Sequence, residues 1–145
     1  MSTKIIVRKA TKKDIFSLAK IFNSSRGIQD FKGHRYNAGF FNARLSSKRD
    51  CVLVAGYDAQ IIGGLNAEFE DATKITFLDN IAVDKKHWKK GVGGMLLRHL
   101  ETMAKKRGHK RLLLQVFTWN RKMNAIMRRY RYRPFGKVIF YSKKL

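Results

Sequence analysis

The segment His87-Trp-Lys-Lys-Gly-Val-Gly-Gly-Met-Leu-Leu97 has the residue types and spacing to grip an anion. Glycine lets a backbone turn sharply and approach a bulky group closely. The first turn of a helix carries N–H groups with no helical partner, at the positive end of the dipole, and so holds phosphate oxygens. Lys89 and Lys90 add charge at the same point. An apolar run, Leu78-Asp-Asn-Ile-Ala-Val83, leads into it. The pattern of strand, glycine-rich loop and amphipathic helix points to a ligand that carries a pyrophosphate.

Two common phosphate binders do not fit. No Gly-x4-Gly-Lys-Ser/Thr run exists, which excludes a Walker A nucleotide hydrolase. A dinucleotide fold needs Gly-x-Gly-x-x-Gly in a βαβ unit and an acid about 20 residues on. Here Leu96 stands at the third position and no acid follows Glu101.

Other reactive residue types are sparse near this segment. Asp79, in the run that leads into it, is the carboxylate near the centre. It reads either as a base acting through water or as a group satisfied by N–H donors at a strand kink. By strict alternation it shares a face with Phe77, Ile81 and Val83, unless a bulge shifts the phase. Cys51 is the one cysteine and reads as a small buried apolar residue. His34, His87, His99 and His109 have no metal-ligand spacing, so no metal is expected. His87 either touches phosphate or faces solvent.

The elements that position these residues follow from periodicity. A strand is expected at 4–9, and Thr11-Lys-Lys-Asp14 has a capping-box layout before a helix with Ile15, Leu18, Ala19, Ile21 and Phe22 inward. Residues 24–36 read as a polar, flexible loop with Gly27 and Gly33, and 37–47 as a short helix. Cys51–Tyr57, Ile61–Glu70 and Lys74–Val83 are spaced as an antiparallel meander. A helix over 91–107 ends at Gly108. Arg111–Phe117 is so apolar that it reads as a strand buried on both sides. Asn120–Tyr130 is a helix, Pro134 stops it, and Lys137–Tyr141 is a last strand.

The chain has 145 residues, 44% of them apolar, enough for one domain over 1–145 with one core. No run of about 18 apolar residues exists, the N-terminal apolar stretch is too short for a secretory signal, and a single cysteine suits a reducing compartment. A cytoplasmic protein without membrane contact is expected. The net charge is +22, and it is uneven. Residues 1–84 hold 13 Lys/Arg and 9 Asp/Glu, or +4, whereas 85–145 hold 19 Lys/Arg and one acid, or +18. Such a field attracts polyanions: a phosphate-rich cofactor, RNA or a ribosomal surface. It reads equally as a solvated basic face.

Four pieces in order resemble the GNAT superfamily of N-acetyltransferases. Ile6-Val-Arg-Lys-Ala-Thr-Lys-Lys-Asp14 is similar to its first strand and helix cap, and Val52–Gly63 to its second and third strands. Asn80-Ile-Ala-Val83 with Trp88-Lys-Lys-Gly-Val-Gly93 resembles its cofactor segment. Leu113–Val116, Asn120 and Arg133-Pro-Phe-Gly136 resemble its fifth strand, last helix and sixth strand. The Asn-Ile-Ala-Val run and the Asn120 helix are most similar to the branch that acetylates protein N-termini.

The resemblance implies an α/β acyl-CoA N-acyltransferase fold. Its sheet is mixed but mostly antiparallel, of six to seven strands with about four helices, splayed between the fourth and fifth strands. It implies acetyl-coenzyme A as cofactor, with the pantetheine arm on the backbone of Ile81, Ala82 and Val83. The pyrophosphate would lie on the amides of Lys89, Lys90, Gly91, Val92, Gly93 and Gly94, and Asn120 would face the arm. Trp88 stands where the family pattern has Arg or Gln; it is either a cofactor contact or a packing residue. The implied reaction is direct transfer of acetyl to a primary amine in a ternary complex. It needs a base, a backbone donor near Ile81 for the developing oxyanion, and an acid for the leaving thiolate.

The family's acidic tyrosine falls on Met127, and its glutamate on Gln115. Tyr130, one turn further on, is then the candidate acid and Asp79 the candidate base; Tyr130 otherwise reads as a core or surface aromatic. The acceptor implied is a protein N-terminus or an amine held on RNA or ribosome, while the +18 half disfavours a polycation. The alternative is an acetyltransferase-like module, weak or inactive, that binds RNA or ribosome through the basic half. A monomer or a homodimer is expected.

Overall fold

The computed structural model describes residues 4–25 and 35–145. The chain falls into two compact parts, Met1–Gln115 and Val116–Leu145.

The first part is a five-stranded sheet in the order β1 to β5. Its strands are β1 Ile6–Lys9, β2 Asp50–Tyr57, β3 Gln60–Glu70, β4 Ile75–Val83 and β5 Arg111–Leu114. The first four are antiparallel, and β5 runs parallel to β4. Three helices accompany them: α1 Ile15–Ser24, α2 Ala38–Leu45 and α3 Val92–Lys106. This is the mixed α/β fold expected, with a sheet of five strands rather than six to seven.

The two faces of the sheet follow from the register. Val52, Val54, Gly64 and Ala82 lie on one face, under α1 and α2, where Leu18, Phe22, Tyr36 and Phe41 complete a buried cluster. Leu53, Leu65, Ala67 and Leu78 lie on the other, toward α3 and its buried Leu96, Leu97 and Leu100. Gly64 is required for the first packing. A Cβ there would sit 2.4 Å from the Leu18 side chain and 2.9 Å from the Leu53 carbonyl. Asp14 starts α1 as the Thr11-Lys-Lys-Asp14 layout implies. Its carboxylate accepts from the Thr11 N–H at 2.8 Å and from both Arg8 guanidinium nitrogens at 2.8 and 2.9 Å. The Arg8 bond, offset in part by desolvation, lowers the Asp14 carboxyl below its ordinary value.

Two features break the regular sheet. Between β3 and β4, Asn66 pairs with Asn80 but Ala67 pairs with Leu78, so Asp79 is an extra residue, a β-bulge. β5 meets β4 only from Ile75 to Leu78 and stops at Leu114. Beyond the bulge, β4 runs on to Val83 with no β5 partner. This is the splay expected between the fourth and fifth strands. Leu112, Leu113 and Leu114 are half-buried and Arg111 is exposed, so β5 is not the fully buried strand its composition suggests. It stops short of Phe117 because a strand exists only through its ladder, and the ladder ends at Leu114.

The second part holds α4, Arg121–Arg129. Asn120 is its N-cap, and its side-chain oxygen accepts from the Met123 N–H at 3.1 Å. The strand expected at 137–141 is not formed. Residues 132–145 carry no regular secondary structure, because no strand pairs with them among the described residues.

Candidate functional site

The β4 edge past the bulge comes first. The Asp84 N–H donates to the Ile62 carbonyl at 2.8 Å, which fixes the antiparallel alternation. Ala82 therefore turns its N–H and C=O toward Gly64 of β3. Ile81 and Val83 turn theirs outward, to the edge that β5 does not cover. Of the three residues expected to offer backbone to an extended ligand, two are placed to do so. Ala82 is not, because its groups belong to the β3 ladder.

The chain turns after Val83 through Lys85–His87 and enters the glycine loop. Lys89 has φ 65° and Gly91 φ 78°, both left-handed. Gly91 is the N-cap of α3 and supplies no side-chain cap. The first helical bond is Met95 N–H to the Gly91 carbonyl at 3.0 Å. The N–H groups of Val92, Gly93 and Gly94 thus precede any helical acceptor. A Cβ on Gly93 would meet nothing within 4 Å, and the same holds at Gly91. No packing inside the protein demands glycine at position 93, in contrast to Gly64. The room is left on the outside of the loop, where Lys89 and Lys90 are exposed. An open edge, a loop with left-handed turns and an uncapped helix start fit a diphosphate with an extended amide-bearing tail.

Trp88 sits between edge and loop. Its indole N–H donates to the Val83 carbonyl at 2.8 Å, and the residue is 42% exposed. One outward acceptor of the β4 edge thus has a donor already. His87 is not solvent-facing: its side chain is 14% exposed and its ring lies 6.2 Å from Tyr57.

The bulge places Asp79 on the α1/α2 face with Asn80. The Asp79 carboxylate accepts from Asn66 Nδ2 at 3.2 Å. Asn80 Nδ2 donates to Asn66 Oδ1 at 2.9 Å, and the Tyr36 hydroxyl donates to Asn80 Oδ1 at 2.5 Å. Desolvation, then the Glu68 charge, raises the Asp79 carboxyl above its ordinary value, while Arg44 opposes. A carboxylate so raised is a better proton acceptor near neutral pH. A hollow of about 330 Å³ lined by Arg44, Ser47, Arg49, Asp50 and Glu68 opens from α2 and the same face of the sheet. Neither Asn66 nor Tyr36 was singled out by sequence. Asn66 lies inside an apolar strand and Tyr36 in a polar stretch, and only an asparagine among hydrophobic strand residues hinted at a role.

Tyr130 and Asn120 belong to the second part. Tyr130 caps the C-terminus of α4, with its N–H on the Ile126 carbonyl at 3.0 Å. Asn120 spends its side-chain oxygen on the α4 start, as described above. Cys51 is buried, and desolvation pushes its thiol up to about 11, which makes it an inert core residue. Among the described residues no group of three or more His, Cys, Asp and Glu is placed to hold a metal. No helix among them is long and apolar enough to cross a membrane.

Solved structures share this fold. An aminoglycoside acetyltransferase from an uncultured soil metagenomic sample, in complex with sisomicin, aligns with TM-score 0.80 at 15% identity, covering 97% of this chain and 96% of that one. AAC(6')-Iy, in complex with the bisubstrate analogue CoA-S-monomethyl-acetylneamine, aligns with TM-score 0.76 at 16% identity, over 99% and 100%. The PaiA N-acetyltransferase from Thermoplasma acidophilum, in complex with coenzyme A, aligns with TM-score 0.79 at 18% identity, over 88% and 89%. No curated protein matches the sequence. Residues 15–131, from α1 through the end of α4, match the Acetyltransferase (GNAT) family, and with the splayed edge and glycine loop in place the chain belongs to that family.

Proposed function

We propose that the whole chain, 1–145, is one N-acetyltransferase domain that uses acetyl-coenzyme A, the cofactor of its family, and passes acetyl to a primary amine. The open β4 edge running into the uncapped start of α3 is the observation that carries this reading. Ile81 and the Val83 N–H would hold the amides of the pantetheine arm. The amides of Lys89 through Gly94 and the two lysine side chains would hold the pyrophosphate. Bound there, the cofactor supplies a thioester whose acetyl carbon accepts the amine. Asp79 would take the proton of the incoming amine through a water, and Tyr130 or solvent would supply the proton that the departing thiol group needs.

The acceptor we propose is a protein N-terminus or another amine carried on RNA or a ribosome. The Asn80-Ile-Ala-Val83 run and the charge support it: residues 116–145 contain no acid. A cationic amine is not repelled locally, since Asp50, Glu68 and Asp79 line the face where Asp79 acts. The compartment we propose is the cytoplasm, and the working form a monomer or a homodimer.

A second reading rests on the second part. Arg128, Arg131, Tyr132, Arg133 and Pro134 surround a hollow of about 430 Å³. In that reading the chain is a module that binds RNA or ribosome through this basic surface, with weak or no catalysis.

One experiment separates the two. Thermal shift is measured with acetyl-coenzyme A and with RNA, each at low and high salt, beside turnover of peptide α-amines, spermidine and an aminoglycoside. Cofactor stabilisation that survives high salt, with turnover of an amine, supports the transferase. Stabilisation by RNA alone, erased by salt, supports the module.

A further inference from the structure

A polar amide at the centre of an apolar strand needs an explanation. Asn66 is fully buried in β3, beside Val52 of β2 and one ladder step from Gly64. Burying an amide costs free energy unless both its ends are bonded. Both are, as described above, and both bonds go to consecutive residues of β4.

Consecutive residues of a regular strand point to opposite faces. Asp79 and Asn80 reach one amide only because the bulge adds Asp79 as an extra residue at that place. The polarity of the chain follows from its end. An ionised carboxylate only accepts, so Asn66 must present its NH₂ to Asp79. Its oxygen then faces the NH₂ of Asn80, and the oxygen of Asn80 faces the Tyr36 hydroxyl. Every donor points toward Asp79. Tyr36 is held in turn by α1, where Asn23 Oδ1 accepts from its N–H and Asn23 Nδ2 donates to its carbonyl, each at 2.8 Å. Its ring is edge-on to Phe22 and Phe40, with centroids 5.4 and 4.9 Å away. Burial pushes the Tyr36 phenol up, so it stays a donor.

We propose that Asn66, backed by Asn80 and Tyr36, is a positioning residue that fixes the Asp79 carboxylate, through a directed chain of hydrogen bonds across the bulge, to receive the proton of the acceptor amine. The inference rests on the transferase reading above and adds to it the part of the molecule that sets the base. The groups that face Asp79 from the surrounding elements are Glu68 of β3, Asp50 of β2 and Arg44 of α2. The Asn66 bond works against the two acids by favouring the ionised form.

The test pairs a titration with kinetics. The carboxyl carbon of Asp79 is followed by NMR from pH 3 to 9 in wild type, Asn66→Ala and Tyr36→Phe, and kcat and KM are measured over the same range with the best amine of the panel. Loss of the Asn66 donor raises the Asp79 midpoint by about 0.5–1 unit and carries the acid limb of kcat/KM with it. Turnover falls about tenfold, while KM for acetyl-coenzyme A stays within about twofold. Tyr36→Phe removes one oxygen and keeps the packing, so it reports even where Asn66→Ala does not fold; its shift is smaller and of the same sign. An unmoved midpoint and an unmoved acid limb in the folded variants overturn the inference while leaving the transferase intact. A wild type that turns over no amine overturns the transferase reading, and this inference with it.

Discussion

Two polar networks meet β4 from its opposite faces, and they end differently. On the α3 face, His109 Nδ1 lies 2.9 Å from the Thr76 hydroxyl and its Nε2 lies 2.7 Å from Asp71 Oδ1. Arg107 grips the same Asp71 through two bonds of 2.8 and 2.7 Å. Thr76 is fully buried and the His109 side chain is 0% exposed. The set resembles a nucleophile, a histidine and an acid in series, yet the hydroxyl has no route to a substrate. It closes on itself and ties the β3–β4 turn to the end of α3. On the other face the Tyr36–Asn80–Asn66 chain ends at Asp79, which is exposed. A closed network holds elements together, whereas a network with an open acidic end can hand on a proton.

The largest expected effect lies at the open end. Asp79→Asn keeps shape and loses the charge, so kcat/KM with the best amine falls about 10²- to 10⁴-fold, with no loss of melting temperature. A loss under about threefold would erase the distinction between the two networks. Gly93→Glu marks the site that depends on neither network. Its backbone is not left-handed and its Cβ has room, so the fold stands. Calorimetry should show coenzyme A affinity down about a hundredfold or more, since the carboxylate would sit where we propose that the phosphates bind.

His109→Ala breaks the closed network. Thr76 and Asp71 lose their shared partner and a void remains, at a cost of about 2 kcal/mol in urea unfolding, with turnover per folded molecule unchanged. Reduced turnover there would join the two networks functionally.

Acid gives the smallest and sharpest contrast, because the two aspartates respond with opposite sign. Arg107 first, then His109, hold the Asp71 carboxyl far below the usual range. Its contribution is complete above the unfolded value near pH 4 and fades as pH drops toward the folded value. The stability gap between wild type and Asp71→Asn should therefore narrow on acidification. Asp79 is raised, so its ionised form is a burden to the fold. Asp79→Asn should be the more stable protein at pH 7, and that advantage should shrink as pH falls through the folded value of Asp79 and vanish below its unfolded value. Denaturation midpoints from pH 7 to 3 check both signs.

Much of this was legible in the sequence, and the rest has identifiable reasons for being hidden. The strands β1 to β4 and α3 lie within two residues of where periodicity places them, because each repeats one period over several turns or pleats. The glycine loop was legible because glycine and its φ requirement are local. The bulge could be named only as a condition on Asp79, since one extra residue leaves no composition mark. Asn66 and Tyr36 escaped because their partners are 14 and 44 residues away along the chain. The strand at 137–141 was over-read from apolar content, which measures a preference for burial and not the presence of a neighbour to pair with. The solvent-facing alternative for His87 fails for a similar reason: polarity suggested solvent, and the folded chain brings Tyr57 beside its ring.

The indole of Trp88 has an optical consequence. A ligand laid along β4 must either leave the Val83 carbonyl to the indole or evict the ring from it. Eviction would move the ring to a different dielectric and shift its emission maximum; retention would leave the colour unchanged and alter at most the intensity. With Trp119, the other tryptophan, replaced by phenylalanine, the protein carries its own gauge of which of these two geometries a bound thioester adopts.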